Sequence, residues 1–306
     1  MSVVVYSDDE ELRYQLLGGA LGVSRGEGLQ VVCVTDENPE GCLEHGAEVV
    51  YHLKGEAGRV EELVGEFEKM AQESNAQLIL VGSTKRGKEF APALAERLNV
   101  GCLTDCVSLE VSDVVTVQRF TYGGSILARE TCRGSPVVVT IPPRVFQAVE
   151  TRPEGGRIIE VEVGKAESRV RLVERREKAR GGQNLENAEI IVSVGRGLKA
   201  KEDLAMVEEL AEALGGASIG CTRPVSADLG WLNEWVGISG KKVSPRLYIA
   251  CGISGQVQHL SGIRDSKIVV SINKDESAIM NKSSDYVVVG DLYEVVPALV
   301  KALKAA

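Results

Sequence analysis

Short apolar runs that alternate with amphipathic stretches constrain the fold of this chain more than any other feature. In its first part, strands are predicted over Val3–Tyr6, Gln30–Val34, Val49–His52 and Leu78–Val81. Between the third and the fourth run, apolar residues recur at helical spacing from Glu56 to Ser74. This alternation predicts an α/β fold, with a mostly parallel sheet flanked by helices.

The alternation stops after a helix that is predicted over Phe90–Leu98. Four strand-like runs then follow without a helix between them: Val107–Val111, Val114–Tyr122, Pro136–Ile141 and Ile158–Val163. Because no amphipathic stretch separates these runs, we expect them to be antiparallel additions to the same domain.

A second alternating series begins after a charged and then glycine-rich segment, Glu174–Asn184, which has no apolar periodicity and is typical of an interdomain linker. We therefore expect an N-terminal α/β domain over residues 1–183 and a C-terminal α/β domain over residues 184–306. The last helix is predicted from near Pro297 to about Leu303. The strands of the second series are predicted at Glu189–Val194, Ala217–Gly220, Arg246–Cys251, Ile268–Ile272 and Tyr286–Val289.

Composition and charge exclude several classes of protein. The net charge is −9, with both signs interspersed, and only 4% of the residues are aromatic, which argues against a nucleic-acid binder. No apolar run approaches the roughly 18 residues of a membrane span, and no signal peptide is evident. We therefore expect a cytoplasmic protein without membrane insertion. The seven cysteines are irregularly spaced and are expected to be reduced thiols rather than metal ligands.

The segment Tyr248–Leu260 carries the most specific functional signal. It predicts a buried strand, a tight turn of small residues, and the first turn of a helix with one of only three histidines, His259. Gly252 and Gly255 allow the backbone to turn sharply and to approach a ligand without a Cβ in the way. Unpaired N–H groups at such a turn are typical of a phosphate site.

Small, polar or glycine-bearing residues follow all five strands that are predicted in the C-terminal domain. The carboxyl ends of parallel strands share one edge of a sheet, and ligands bind there. These segments are Gly195-Arg196-Gly197, Cys221-Thr222-Arg223-Pro224, Gly252-Ile253-Ser254-Gly255, Asn273-Lys274-Asp275 and Gly290-Asp291-Leu292. Together they indicate a large, extended ligand such as a dinucleotide, although neither the Rossmann glycine motif nor a Walker A motif is present.

These segments resemble one family, the alpha subunit of electron transfer flavoproteins, including its nitrogen-fixation-linked relatives. The matching motifs occur in family order over nearly all of residues 189–303. They are Val194-Gly195-Arg196-Gly197-Leu198, Thr222-Arg223, Val236-Gly237-x-Ser239-Gly240-Lys241, the block from Leu247 to Gly262, Ile272-Asn273-Lys274-Asp275 and Gly290-Asp291-Leu292. The resemblance implies that the C-terminal domain binds FAD.

Matched motif by motif, the resemblance also implies which residues contact the FAD. These residues are Arg196, Thr222, Arg223, Val236, Gly237, Ile238, Ser239, Ser254, Gly255, Gln256, Val257, Gln258, His259, Asn273, Asp291 and Leu292. Arg223, Ser239 and His259 would lie near the isoalloxazine ring. Cationic or N–H donors there stabilise negative charge on the ring, and a hydroxyl can hydrogen-bond to it. Ser254 would suit the pyrophosphate, and Asp291 the ribose or adenine.

Three of these residues also have a plain structural interpretation that the sequence leaves open. Taken singly, His259 is more typical of a helix histidine with protein partners than of a cofactor contact, and Arg223 is typical of a surface cation. Asp291 is typical of a helix cap.

The loop beside the flavin departs from the family pattern. Trp235 stands where the family commonly has Gln, and Ile238-Ser239 replaces its Gln-Thr. The hydroxyl is kept while a glutamine amide is lost, and the segment between Arg223 and Trp235 is re-spaced. We expect Trp235 either in the core or packed against the ring.

The resemblance finally implies a function and a partner. The chain would pair with a beta subunit and carry electrons from a donor dehydrogenase to an acceptor oxidoreductase, without an organic substrate of its own. Two alternatives stay open: a subunit of an electron-bifurcating complex that oxidises NADH, and a non-redox nucleotide-binding scaffold. The N-terminal loop Gly82–Lys88 looks like a phosphate loop, but the resemblance assigns it to structure and beta-subunit contact and not to a ligand.

Overall fold

The computed structural model describes residues 1–55, 60–164, 173–174 and 185–305. Within it the chain forms two compact units, Met1–Arg175 (unit 1) and Arg176–Ala306 (unit 2). The predicted domain boundary between residues 183 and 184, and all but the first residue of the predicted linker, lie outside the described residues and stay predictions. No helix in the described part of the chain combines the length and the apolar character needed to cross a membrane.

Unit 1 is built on a seven-stranded, wholly parallel sheet with the order β10-β3-β2-β1-β4-β9-β5. In chain order its elements are β1 (Ser2–Tyr6), α1 (Glu10–Glu27), β2 (Gln30–Thr35), α2 (Pro39–Glu44), β3 (Val49–Lys54), α3 (Val60–Glu73), β4 (Ala76–Gly82), α4 (Lys85–Leu98), β5 (Cys102–Leu103), β6 (Cys106–Val111), β7 (Val115–Thr121), β8 (Ile126–Cys132), β9 (Val137–Ile141) and β10 (Arg157–Glu162).

Both faces of this sheet are buried, which explains its continuous apolar runs. In β1, Val3 and Val5 pack in a cluster with residues of α1 and α2, whereas Val4 and Tyr6 pack with residues of α3 and α4. All four are almost fully buried. A strand that is covered by helices on both sides needs apolar residues at every position, so the alternation of polar and apolar residues disappears.

The prediction of four antiparallel additions in unit 1 is wrong for two of the runs. β9 pairs with β4 and β10 pairs with β3, both in parallel. Among the strands of the described residues, only β6, β7 and a strand that we did not predict, β8, form an antiparallel sheet. This three-stranded excursion returns the chain to the starting end of the main sheet, so the next strand runs parallel without a crossover helix.

Unit 2 is a five-stranded parallel sheet with the order β12-β11-β13-β14-β15. Since the order reverses beside the first strand, β11 and β13 flank the point at which ligands bind in such sheets. In chain order its elements are β11 (Ile190–Val194), α5 (Leu204–Ala213), β12 (Ser218–Cys221), β13 (Leu247–Cys251), α6 (Val257–Ile263), β14 (Val269–Asn273), α7 (Ile279–Lys282), β15 (Tyr286–Val289) and α8 (Leu292–Ala305).

The last helix begins five residues earlier than predicted, at Leu292 instead of near Pro297. The cause is Asp291, whose carboxylate accepts a hydrogen bond of 3.0 Å from the Tyr293 N–H. A side chain that satisfies a free N–H in the first turn fixes where a helix begins. Pro297 therefore lies inside the helix, between the buried Val296 and Val300.

Candidate functional site

A cavity of about 490 Å³ lies at the carboxyl edge of the unit 2 sheet. It brings together segments that follow β11, β12, β13 and β14, together with a loop between β12 and β13. Its lining consists of Gly195, Arg196, Gly197, Thr222, Arg223, Pro224, Trp235, Val236, Gly237, Ile238, Ser239, Gly252, Ile253, Ser254, Gln256, Gln258, His259, Asn273, Asp275 and Ala278.

The floor of the cavity consists of two turns, after β11 and after β13, whose glycines pack closely against each other. A Cβ on Gly197 would lie 2.6 Å from the Gly252 Cα, and a Cβ on Gly252 would lie 2.7 Å from the Gly197 Cα. Gly252 also has a φ of 63°, a conformation that other residues seldom adopt. Leu292 packs against both turns from the outside, so it supports the floor and does not line the cavity.

The turn after β13 presents backbone donors that the protein itself does not use. The N–H groups of Ser254, Gly255 and Gln256 have no hydrogen-bond acceptor among the described residues. Gly255 holds the turn in shape, with a φ of 81° and no room for a Cβ beside the Met280 nitrogen. Unpaired N–H groups at a concave surface suit an anionic ligand such as a phosphate.

A tight loop from Trp235 to Lys241 (the 235–241 loop) forms one wall. Within the loop, the Lys241 N–H donates to the Trp235 carbonyl at 2.8 Å. The Ile238 N–H donates to the Gln258 carbonyl at 2.9 Å, which ties the loop to α6. Gly237 fits closely there, since a Cβ on it would lie 2.8 Å from the same carbonyl oxygen. The loop therefore has a defined backbone conformation.

His259 is buried behind this loop and has a protein partner on each ring nitrogen. Nδ1 lies 3.1 Å from the Val236 carbonyl, which can only accept, so Nδ1 carries the proton. Nε2 lies 3.0 Å from the Tyr248 hydroxyl, which therefore donates to it. Burial lowers the pKa of His259 to about 4, so the ring is neutral near pH 7.

This arrangement departs from the expectation that His259 supplies a hydrogen-bond donor to a flavin. The side chain lies at the cavity, but its single N–H is already directed to the Val236 carbonyl. The interpretation of His259 as a helix histidine with protein partners describes its hydrogen bonds correctly.

Two arginines give the cavity its positive charge. Arg196 and Arg223 are exposed at its lining, and neither makes an ion pair or a side-chain hydrogen bond with any residue that the structure describes. Two guanidinium groups without a counter-ion, together with the free N–H groups of the β13 turn, make an anionic ligand chemically suitable.

The remaining predicted residues have structural contacts. The Asn273 side chain lines the cavity but donates to the Ile253 carbonyl at 2.8 Å, which ties the turns after β13 and β14 together. Val257 and Asp291 do not line the cavity, nor does Gly255. The helix-cap interpretation of Asp291 accordingly matches its hydrogen bond to Tyr293.

The cavity also includes residues that the sequence did not assign to the ligand. They are Gly195, Gly197, Pro224, Trp235, Gly252, Ile253, Asp275 and Ala278. All but Trp235 and Ala278 belong to the segments that follow the strands. Their position after a strand of the parallel sheet was therefore the sequence signal that could have identified them as cavity residues. Trp235 was recognised only as a departure from the family pattern. It is half-buried against the core and also lies at the cavity, while its packing against a ring stays a prediction.

Comparison with known proteins agrees with the resemblance. The family described as "Electron transfer flavoprotein domain" matches residues 10–166, and "Electron transfer flavoprotein FAD-binding domain" matches residues 184–264. The putative electron transfer flavoprotein subunit YdiR of Escherichia coli K12 is 32% identical over 308 residues, which cover 99% of this chain and 98% of that protein.

The electron transfer flavoprotein subunit alpha of Thermoanaerobacterium thermosaccharolyticum is 36% identical over 244 residues, 77% of this chain and 73% of that protein. The solved UDP-GlcNAc 2-epimerase of Neisseria meningitidis has a TM-score of only 0.35 at 9% identity, over 99% of this chain and 92% of that one. So low a score does not establish a common fold. The two family domains and these relatives, one of them matched over nearly its full length, confirm the resemblance: this chain belongs to the electron transfer flavoprotein alpha-subunit family.

Proposed function

We propose that the chain binds one FAD in the unit 2 cavity and carries electrons, paired with a beta subunit, from a donor dehydrogenase to an acceptor oxidoreductase in the cytoplasm. The observation that carries this proposal is the set of unpaired hydrogen-bond donors and positive charges in unit 2. Free backbone N–H groups at Ser254–Gln256 and two unpaired guanidinium groups, on Arg196 and Arg223, lie in the unit that matches the FAD-binding domain.

The residues of the cavity suit the two ends of a dinucleotide. Ser254 and Gln256, which line the cavity, would hold the pyrophosphate through their unpaired backbone N–H groups, and Gly255 shapes the turn between them. Arg223 and Ser239 would lie at the ring end, where positive charge and a hydroxyl stabilise an electron-rich ring. The flavin supplies the redox chemistry when it is bound, and the protein supplies position and electrostatics.

The test is to co-express the chain with its beta subunit, release the cofactor by heat and identify it chromatographically. We expect a flavin absorption spectrum and about one FAD per chain. We also expect higher flavin occupancy and solubility than for the chain expressed alone, since a partner that binds the folded state stabilises it. Release of FMN, or a protein without flavin, would contradict the proposal, and the second result would favour a nucleotide-binding scaffold.

Electron transfer is tested on the same preparation. We expect the reduced flavoprotein to be reoxidised by an acceptor oxidoreductase and reduced again by a donor dehydrogenase, without conversion of an organic substrate by the flavoprotein alone. Oxidation of NADH by the purified complex would instead indicate an electron-bifurcating subunit.

A further inference from the structure

Trp235 hydrogen-bonds to the hydroxyl of the cavity loop. Its indole Nε1 lies 3.3 Å from Ser239 Oγ. An indole N–H can only donate, so Ser239 Oγ is the acceptor in this pair. The hydroxyl hydrogen of Ser239 is therefore free to donate elsewhere, and Ser239 is exposed at the cavity lining.

The indole has little freedom to leave this position. A Cβ on Gly240 would lie 2.6 Å from Trp235 Nε1 and 2.5 Å from Cδ1, so the ring lies directly against the Gly240 backbone. The other side of Trp235 packs against the apolar cluster of unit 2. Because the Ile238 N–H ties the 235–241 loop to α6, Trp235 and Ser239 are held in fixed positions relative to each other and to the cavity.

We propose that Trp235 is a positioning residue that makes the Ser239 hydroxyl a hydrogen-bond donor to the bound ligand. The inference rests on the proposed function, in which that ligand is a flavin. Ring acceptor atoms become better acceptors when the ring takes up an electron, so a hydroxyl that is held as a donor stabilises the reduced ring. Trp235 therefore raises the first reduction potential through Ser239, without contacting the reacting atoms itself.

The test compares Trp235→Phe, which keeps an aromatic ring and removes the N–H, with the wild-type chain in complex with its beta subunit. Trp231 is a matched control, because it is the only other tryptophan and packs against the same apolar cluster without lining the cavity. Each change is made in the Ser239 and in the Ser239→Ala background, and both the FAD dissociation constant and the first reduction potential are measured.

In the Ser239 background we expect Trp235→Phe to weaken FAD binding about threefold to tenfold, the range of one hydrogen bond, and to lower the potential. In the Ser239→Ala background the same change should leave both quantities unaltered, because the hydroxyl it acts through is absent. Trp231→Phe should alter neither quantity in either background.

Equal effects of Trp235→Phe in both backgrounds would overturn the proposal, since Trp235 would then act by packing alone. Complete loss of flavin from Trp235→Phe, with flavin retained by Ser239→Ala, would overturn it for the same reason. If the wild-type complex binds no flavin, the proposed function fails, and this result is distinguishable because it precedes any comparison of variants.

Discussion

His259 should make the stability of this protein depend on pH in a predictable way. The imidazole is only 6% exposed, and burial lowers its pKa to about 4. The tautomer of the neutral ring is fixed by the Tyr248 hydroxyl and the Val236 carbonyl. An imidazole in the unfolded chain has an ordinary pKa of about 6.5.

The sign of the effect follows from these two values. At about pH 7.5 and above, one unit over the pKa in the unfolded chain, the imidazole is neutral in both states, and its contribution to stability is complete. As the pH falls further, the unfolded chain binds a proton that folded His259 does not bind until about pH 4. Each pH unit costs about 1.4 kcal/mol, so about 3 kcal/mol of the free energy of unfolding is lost across this window.

The assay is urea unfolding of the full chain between pH 4.5 and 7.5, for the wild type and for His259→Gln at equal FAD concentration. Carboxylates titrate in both proteins, so the measured quantity is the difference between their slopes. We expect the wild type to lose about 2 to 3 kcal/mol more than the variant. Parallel pH profiles for wild type and His259→Gln would refute the assignment of a neutral, buried His259.

Three further substitutions test the cavity. Arg223→Ala should lower the first reduction potential of the bound flavin by roughly 80 mV, because a Coulomb energy of about 4 kcal/mol is halved by the exposure of the side chain. Arg223→Lys keeps the positive charge and should therefore keep most of the potential. A redox titration at full flavin occupancy measures both. Gly255→Ala should weaken FAD binding at least tenfold, as measured by calorimetry, because the φ of Gly255 is 81° and a Cβ would lie 2.2 Å from the Met280 nitrogen. The control Gly22→Ala should have no effect on binding, because the space around Gly22 is open. Asp291→Ala should cost about 1 kcal/mol of stability as a lost helix cap and leave FAD affinity unchanged; a clear loss of affinity would restore Asp291 as a ligand residue.

Local patterns in the sequence were sufficient for most strands and for the position of the cavity. The glycine and polar segments that follow β11 to β14 are local features, and the parallel sheet alone brings them to one edge. The sequence did not predict α1, which contains four glycines. Gly19 is required there because a Cβ would lie 2.4 Å from the Phe146 ring, a contact that only the folded chain contains.

Strand direction and side-chain networks could not be obtained in this way. The parallel pairing of β9 depends on where the β6–β8 excursion returns the chain, and that of β10 on the path of the connection that follows β9, not on the residues of those strands. The tautomer of His259 depends on the carbonyl of Val236, which lies 23 positions away in the chain. The pair of Trp235 and Ser239 depends on a loop conformation that their spacing alone does not specify.

The central claim is that FAD binds at the carboxyl edge of the unit 2 sheet. A crystal structure of the flavin-loaded protein with its beta subunit tests it most directly. We predict density for one FAD in the cavity, with pyrophosphate oxygens about 3 Å from the backbone nitrogens of Ser254 and Gln256 and the ring beside Arg223 and Ser239. Flavin density against residues of unit 1, or an empty cavity in a protein that retains its flavin, would contradict the account.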